Sequence, residues 1–301
     1  MSNLMETSKL RDFSVHLALF YVVIIWGVNF VIMKMTFDLI EPFAFNGVRF
    51  AIAFLVLISV LLIKEGWQSI PFKDWIRFIG LGFFGNAVFQ YLVINGLDLS
   101  RPENTALLQA TIPVWAALIA WILRWEKITP LLWFGIILSF AGVATIVFAT
   151  SGGFSLDNLG VRGDLMVLGS ALSWAIYTVF SKDLLKRYSP LRVSTLAFAT
   201  GLPIVLLFSF PAVAATDWTN ISPWVWASIL FSGILAIAIN YIIWSYAVQR
   251  VGAARTAIYN NVTPIVTFIS AFFLLSQPIV ALQFLGGAIV LTGVWITIKN
   301  K

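Results

Sequence analysis

The chain has 301 residues, 60% of them apolar and only 11% charged, against about 45–50% and about 25% in ordinary soluble domains. Its 19 Lys and Arg and 13 Asp and Glu are too few to cover a water-soluble protein of this size, so the remaining surface faces lipid. Without cysteine, no disulfide framework or thiolate metal site is possible, and a single histidine, His16, argues against a His-ligated metal centre or catalytic triad. The net charge of +6 is better explained by membrane topology than by a clustered basic surface for nucleic acid.

Apolar runs long enough for a bilayer-crossing helix, about 20 residues, recur ten times. They lie near 15–35, 43–63, 76–97, 104–123 and 131–149 in the first half, and near 164–183, 192–211, 224–247, 255–275 and 280–298 in the second. The predicted fold is an all-α membrane protein with ten transmembrane helices. The first run, Val15 to Met33, is too long for a signal-peptide core and lacks a small-residue cleavage signature, so it is expected to remain as an anchor. With the N-terminus in the cytoplasm, fifteen Lys and Arg lie inside and only Lys34, Arg101 and Arg162 outside. That bias orients helical membrane proteins and places both termini in the cytoplasm. Trp67, Trp75, Trp125, Trp218, Trp224 and Trp295 suit an interfacial belt, and the lack of long soluble loops suits a bacterial inner membrane.

A shift of 151 residues superimposes Thr105-Ala106 on Thr256-Ala257, Pro113 on Pro264, Gly135 on Gly286 and Gly142 on Gly293; a shift of 148 places Trp26 and Lys34 on Trp174 and Lys182. The chain is therefore read as two five-helix units, 1–150 and 151–301. Five is odd, so the second unit enters the membrane from the opposite side and the repeats are inverted. Secondary transporters use this arrangement, with substrate bound near the midplane.

The carriers of a family resemblance are Trp26-Gly27-Val28-Asn29-Phe30, Arg49-Phe50, Thr105-Ala106 with Pro113, Glu126 with Gly135 and Gly142, and their copies in the second half. On these residues the chain resembles the drug/metabolite transporter superfamily, with two EamA-type domains. Gln277 departs from the pattern where its repeat mate is Glu126. The resemblance implies transport of small metabolites, often export of amino acids or amphipathic compounds, with spans 1, 3, 4, 6, 8 and 9 lining a central cavity.

Polar side chains deep in hydrocarbon need a partner or a wet cavity. The candidates fall on helical stripes: Trp26 and Asn29; Asn86 and Gln90; Gln109 with Trp115; Trp174, Tyr177 and Thr178; Asn240, Tyr241 and Trp244; Tyr259, Asn260 and Asn261. Bonds between neighbouring helices are the alternative for each of them. As a set, aromatic rings with a few amides suit an uncharged or zwitterionic solute. Pro113 and Pro264, at matched mid-helix positions, each free a carbonyl and mark a binding site or hinge. The Gly135/Gly142 and Gly286/Gly293 spacings read as packing faces.

Arg49 lies within the second span, where it meets a substrate carboxylate, snorkels towards headgroups, or pairs with Asp98 or Glu103. Lys34 and Lys182 read as solvated flanks. All thirteen acids fall in loops or within a turn or two of span ends, so no buried proton relay is visible and facilitated diffusion or exchange is expected. Titration of Glu126, Asp98 or Glu103 at a gate, or a backbone-lined sodium site, is the alternative. The expected partners are a small-molecule substrate and the lipid bilayer, with no nucleic acid and no cofactor, in a monomer or homodimer. No catalytic constellation points to an enzyme. A channel, or a membrane receptor or scaffold, is the rival reading.

Overall fold

The computed structural model describes residues 2–124, 129–151, 158–276 and 280–299, and every regular element among them is helical. Trp125, Glu126, Lys127, Gln277 and Lys301 lie outside the described residues. The first half contains α1 (Ser2–Phe37), α2 (Pro42–Lys64), α3 (Phe72–Gly82), α4 (Phe89–Leu99), α5 (Pro102–Gln109), α6 (Ile112–Ile122) and α7 (Pro130–Ser151). The second contains α8 (Leu159–Leu184), α9 (Pro190–Ala215), α10 (Pro223–Leu230), α11 (Asn240–Val251), α12 (Ala253–Ile258), α13 (Thr263–Leu275) and α14 (Ala281–Lys299).

The helix starts are written locally. Proline's fixed φ and missing N–H suit the first turn of a helix, and α2, α5, α9 and α10 begin that way. For α2, α9 and α10 the preceding residue also caps an orphan N–H with its side chain: Glu41 accepts from Ala44 N at 2.8 Å and Ser189 from Arg192 N at 3.0 Å.

Eight helical segments, 14–37, 42–64, 72–99, 102–122, 159–184, 190–215, 223–251 and 255–275, are long and apolar enough to cross a membrane. Two shorter apolar stretches, 133–149 and 281–296, lie within α7 and α14, which have 22 and 19 residues. The outward faces are apolar, with Ile63, Phe72, Leu207 and Phe273 almost fully exposed, as a protein solvated by lipid tails requires.

Two features break the predicted continuous spans. Phe83–Val88 between α3 and α4, and Phe231–Ile239 between α10 and α11, are π-helical. They start 148 residues apart, at matched places in the two halves, and each holds a glycine, Gly85 or Gly233, against a neighbour. The second is the interruption before each paired proline. α5 stops at Gln109 and α6 restarts with Pro113 in its first turn. Likewise, a 3-10 turn at Tyr259–Val262 precedes α13 and Pro264.

Glycines bring the helices to backbone contact. A Cβ on Gly142 would lie 2.6 Å from Val290 N and 2.7 Å from Gly286 O, and one on Gly293 2.6 Å from Gly135 O. Residue numbers rise along α7 as they fall along α14, so the pair is antiparallel. Between the two glycine contacts, Ser139 Oγ donates to Val290 O at 3.2 Å; these two residues are 151 positions apart, each the other's repeat mate. The remaining packing is paired in the same sense: α2 lies on α9, α4 on α8 and α11 on α1, and α13 on α1 and α6 on α8.

Candidate functional site

Where α1, α4, α8 and α11 meet lies a partly open cavity of about 70 Å³. α1 contributes Trp26, Asn29, Phe30 and Met33; α2 contributes Arg49; α4 contributes Phe89, Gln90 and Val93. The interrupted segments supply Gln109 and Ile112 on one side and Asn260 and Thr263 on the other, with Trp174, Ala236, Ile237 and Tyr241 completing the wall. The breaks before the prolines therefore deliver side chains from both interrupted segments to the same space.

An aromatic cluster forms part of this wall. Trp174 lies with ring centroids 5.0 Å from Phe89, 4.9 Å from Tyr177, 5.1 Å from Tyr241 and 5.8 Å from Trp26. Trp26 anchors its indole by donating Nε1–H to Ala236 O at 2.8 Å, so its ring is fixed in orientation. Gln109 Nε2 donates to Ser170 Oγ at 2.7 Å, and Asn29 Nδ2 to Met33 Sδ at 3.0 Å. The other polar atom of Asn29, Oδ1, is buried without a hydrogen-bond partner among the described residues. Buried carbonyl oxygens are rarely left that way without water or a ligand.

Of the fifteen predicted site residues, Trp26, Asn29, Gln90, Gln109, Trp174, Tyr241 and Asn260 line the cavity. The rest lie around it. Asn86 donates Nδ2–H to Ala197 O at 3.1 Å and fastens the first π-helical segment to α9. Asn240 donates to Val22 O at 3.2 Å, tying α11 to α1. Trp244 packs behind Trp26 at 5.2 Å, and Tyr177 and Thr178 are buried next to Trp174 on α8. Trp115 stands edge-on to Phe140 at 5.1 Å. Tyr259 pairs its hydroxyl with His16 Nδ1, and Asn261 follows in the same 3-10 turn.

Arg49 neither snorkels nor reaches Asp98 or Glu103. It is 2% exposed, and its guanidinium donates to Asn46 Oδ1 at 3.0 Å, Ser232 Oγ at 2.6 Å, Gln90 Oε1 at 2.8 Å and Met33 Sδ at 3.0 Å. All four partners are neutral. Lys34 also differs from the solvated flank expected of it. Its ammonium donates to Leu97 O at 3.1 Å, where a cation satisfies the C-terminal carbonyls of α4.

The acids do sit near helix ends, but three are buried: Asp74, Asp164 and Glu103. Tertiary packing of the helix ends, invisible in the linear pattern, removes them from water. Asp164 accepts from Ser100 Oγ and, at 3.2–3.3 Å, from Asn104 Nδ2. Asp74 accepts from Arg187 and Tyr188, both at 2.6 Å, joining the start of α3 to the end of α8.

An apolar exterior and eight membrane-length helical segments, packed around a cavity lined by rings and amides, define an integral, multi-pass membrane protein. The chain belongs to the EamA-like transporter family of the drug/metabolite transporter superfamily, which it matches over residues 13–148 and again over 161–299. It is 27% identical over 288 residues to the uncharacterized transporter YyaM of Bacillus subtilis (strain 168), covering 95% of this chain and 93% of that one. It is 25% identical over 291 residues to a probable amino-acid metabolite efflux pump of Escherichia coli (strain K12), covering 92% of each. A solved crystal structure superposes with a TM-score of 0.67 at 18% identity, covering 94% of this chain and 95% of its own, which establishes the shared fold.

Proposed function

We propose that the chain is a secondary transporter, independent of ATP, that exports or facilitates passage of small amphipathic metabolites, amino acids and their derivatives first among them. The observation that carries this reading is the cavity between the two halves, with its fixed indoles and an unpartnered amide oxygen. The substrate rests against Trp26, Trp174 and Tyr241 and exchanges hydrogen bonds with Asn29, Gln90, Gln109 and Asn260. The name of the Escherichia coli relative supports the substrate class.

In this reading α7 and α14 also cross the bilayer. At about 1.5 Å per residue their 22 and 19 residues reach roughly the 30 Å of a hydrocarbon core, giving ten crossings in two inverted units with both termini in the cytoplasm of a bacterial cell. The antiparallel α7–α14 contact supports the inversion. The paired breaks at Pro113 and Pro264 and the paired π-helical segments are the points where each unit bends, and alternating access follows as one unit rocks against the other.

Reconstitution into liposomes tests it. Uptake of labelled amino acids, nucleosides and small aromatic acids should saturate and show mutual competition for at least one class. Linear, unsaturable flux would favour a channel, and no flux of any solute would favour a receptor or scaffold.

A further inference from the structure

Arg49 carries a full positive charge in the wall of the cavity and has no carboxylate within ion-pair distance among the described residues. A guanidinium has five N–H donors and cannot be discharged. Three of them meet the neutral oxygens of Asn46, Ser232 and Gln90. A fourth meets only the thioether of Met33, a weak acceptor, and the second hydrogen on Nη2 has no partner among the described residues. An uncompensated charge in such a place is expensive. The fold nevertheless holds this one rigidly, with Phe45 and Phe50 rings 5.3 and 5.8 Å from its central carbon.

We propose that Arg49 is the anion-recognising group of the cavity, and that the solutes taken there carry one carboxylate on an apolar, ring-sized body. The inference rests on the transport reading above and names its substrate class. Gln90, Asn46 and Ser232 position the guanidinium, and the two poorly used N–H groups donate to the carboxylate. Met33 Sδ also receives Asn29 Nδ2–H at 3.0 Å, so Asn29 and Arg49 meet at the same sulfur. Its unpartnered Oδ1 takes a donor on the same ligand, an ammonium or hydroxyl beside the carboxylate. The rings of Trp26 and Trp174 cover the apolar part. The uncharged solutes that the sequence pattern admits are thereby disfavoured, because they would leave the buried charge without a partner.

Matched ligands test this without any substitution. Full-length protein in lipid nanodiscs is titrated with 3-phenylpropanoate and 3-phenylpropanamide, and with L-phenylalanine and L-phenylalaninamide, following tryptophan fluorescence and the shift in melting temperature. Each acid is expected to bind at least tenfold more tightly than its amide. Arg49→Gln is expected to abolish that preference, and Arg49→Lys to restore part of it. Equal binding of acid and amide by the unsubstituted protein would overturn the inference, whatever the folding of the variants. Retention of the preference in a folded Arg49→Gln protein would do the same. Failure of all four probes to bind also overturns it, while saturable uptake of some other solute by liposomes would leave the transporter reading standing.

Discussion

Replacing Gln90 by Glu puts a carboxylate where a neutral oxygen now stands 2.8 Å from Arg49 Nη2, with almost no change of shape. Charge centres about 4 Å apart attract by about 4 kcal/mol at an effective dielectric constant near 20. Bringing a carboxylate into a buried site costs several kcal/mol. The guanidinium is already desolvated in the native protein, so only the new acid bears that cost, and the two terms offset to within about 2 kcal/mol. Folding stability should therefore change little. Binding should change much more, because the internal acid supplies the counter-charge that a ligand carboxylate would otherwise provide. Losing a charge-assisted bond of about 1.5–3 kcal/mol weakens 3-phenylpropanoate roughly ten- to hundredfold and removes its advantage over 3-phenylpropanamide. The assay is the paired fluorescence titration with a melting curve on the same samples. A Gln90→Glu protein that melts normally and still prefers the acid would refute the reasoning.

Gly142→Ala should destabilise the protein by about 1–3 kcal/mol, since its methyl group must push apart two backbones. Gly80→Ala, whose Cβ meets nothing within 4 Å, should be neutral or stabilising by up to about 1 kcal/mol; similar unfolding curves for the two variants would count against the packed α7–α14 contact. Trp174→Ala removes a 2% exposed ring with several aromatic neighbours and should cost about 3–5 kcal/mol, so transport is better probed with Trp174→Phe, expected to fold and to slow liposome uptake. Asp164→Ala leaves Ser100 Oγ and Asn104 Nδ2 without the acceptor they now share and should lower stability by at least about 1–3 kcal/mol, measured by thermal unfolding in detergent.

The amino-acid sequence alone determined the class of fold and most helix limits. Backbone groups in lipid must bond within their own segment, so apolar runs of membrane length can hardly be anything but helices, and Pro42, Pro102, Pro190 and Pro223 mark helix starts by local geometry. The duplication was legible too, because Pro113 and Pro264, and Gly142 and Gly293, keep their spacing. The breaks lie just before Pro113 and Pro264, which stand in the first turn of α6 and α13, where a missing N–H costs no hydrogen bond, and not in mid-helix as expected.

Which polar side chains face the cavity is settled by helix packing. Asn29 and Asn240 look alike in the sequence, and each has a buried Oδ1 without a partner among the described residues, yet Asn29 lines the cavity while Asn240 ties α11 to α1. Helical periodicity fixes which residues share a stripe, but not what the stripe meets. The π-helical segments widen the helical turn through small energy differences that leave no clear pattern, and they alter the registration of everything after them. Asp164 and Arg49 make the same point for charge. Near a helix end or lone within a span, their desolvation and partners depend on side chains scores of residues away, and those meet only once the helices have packed.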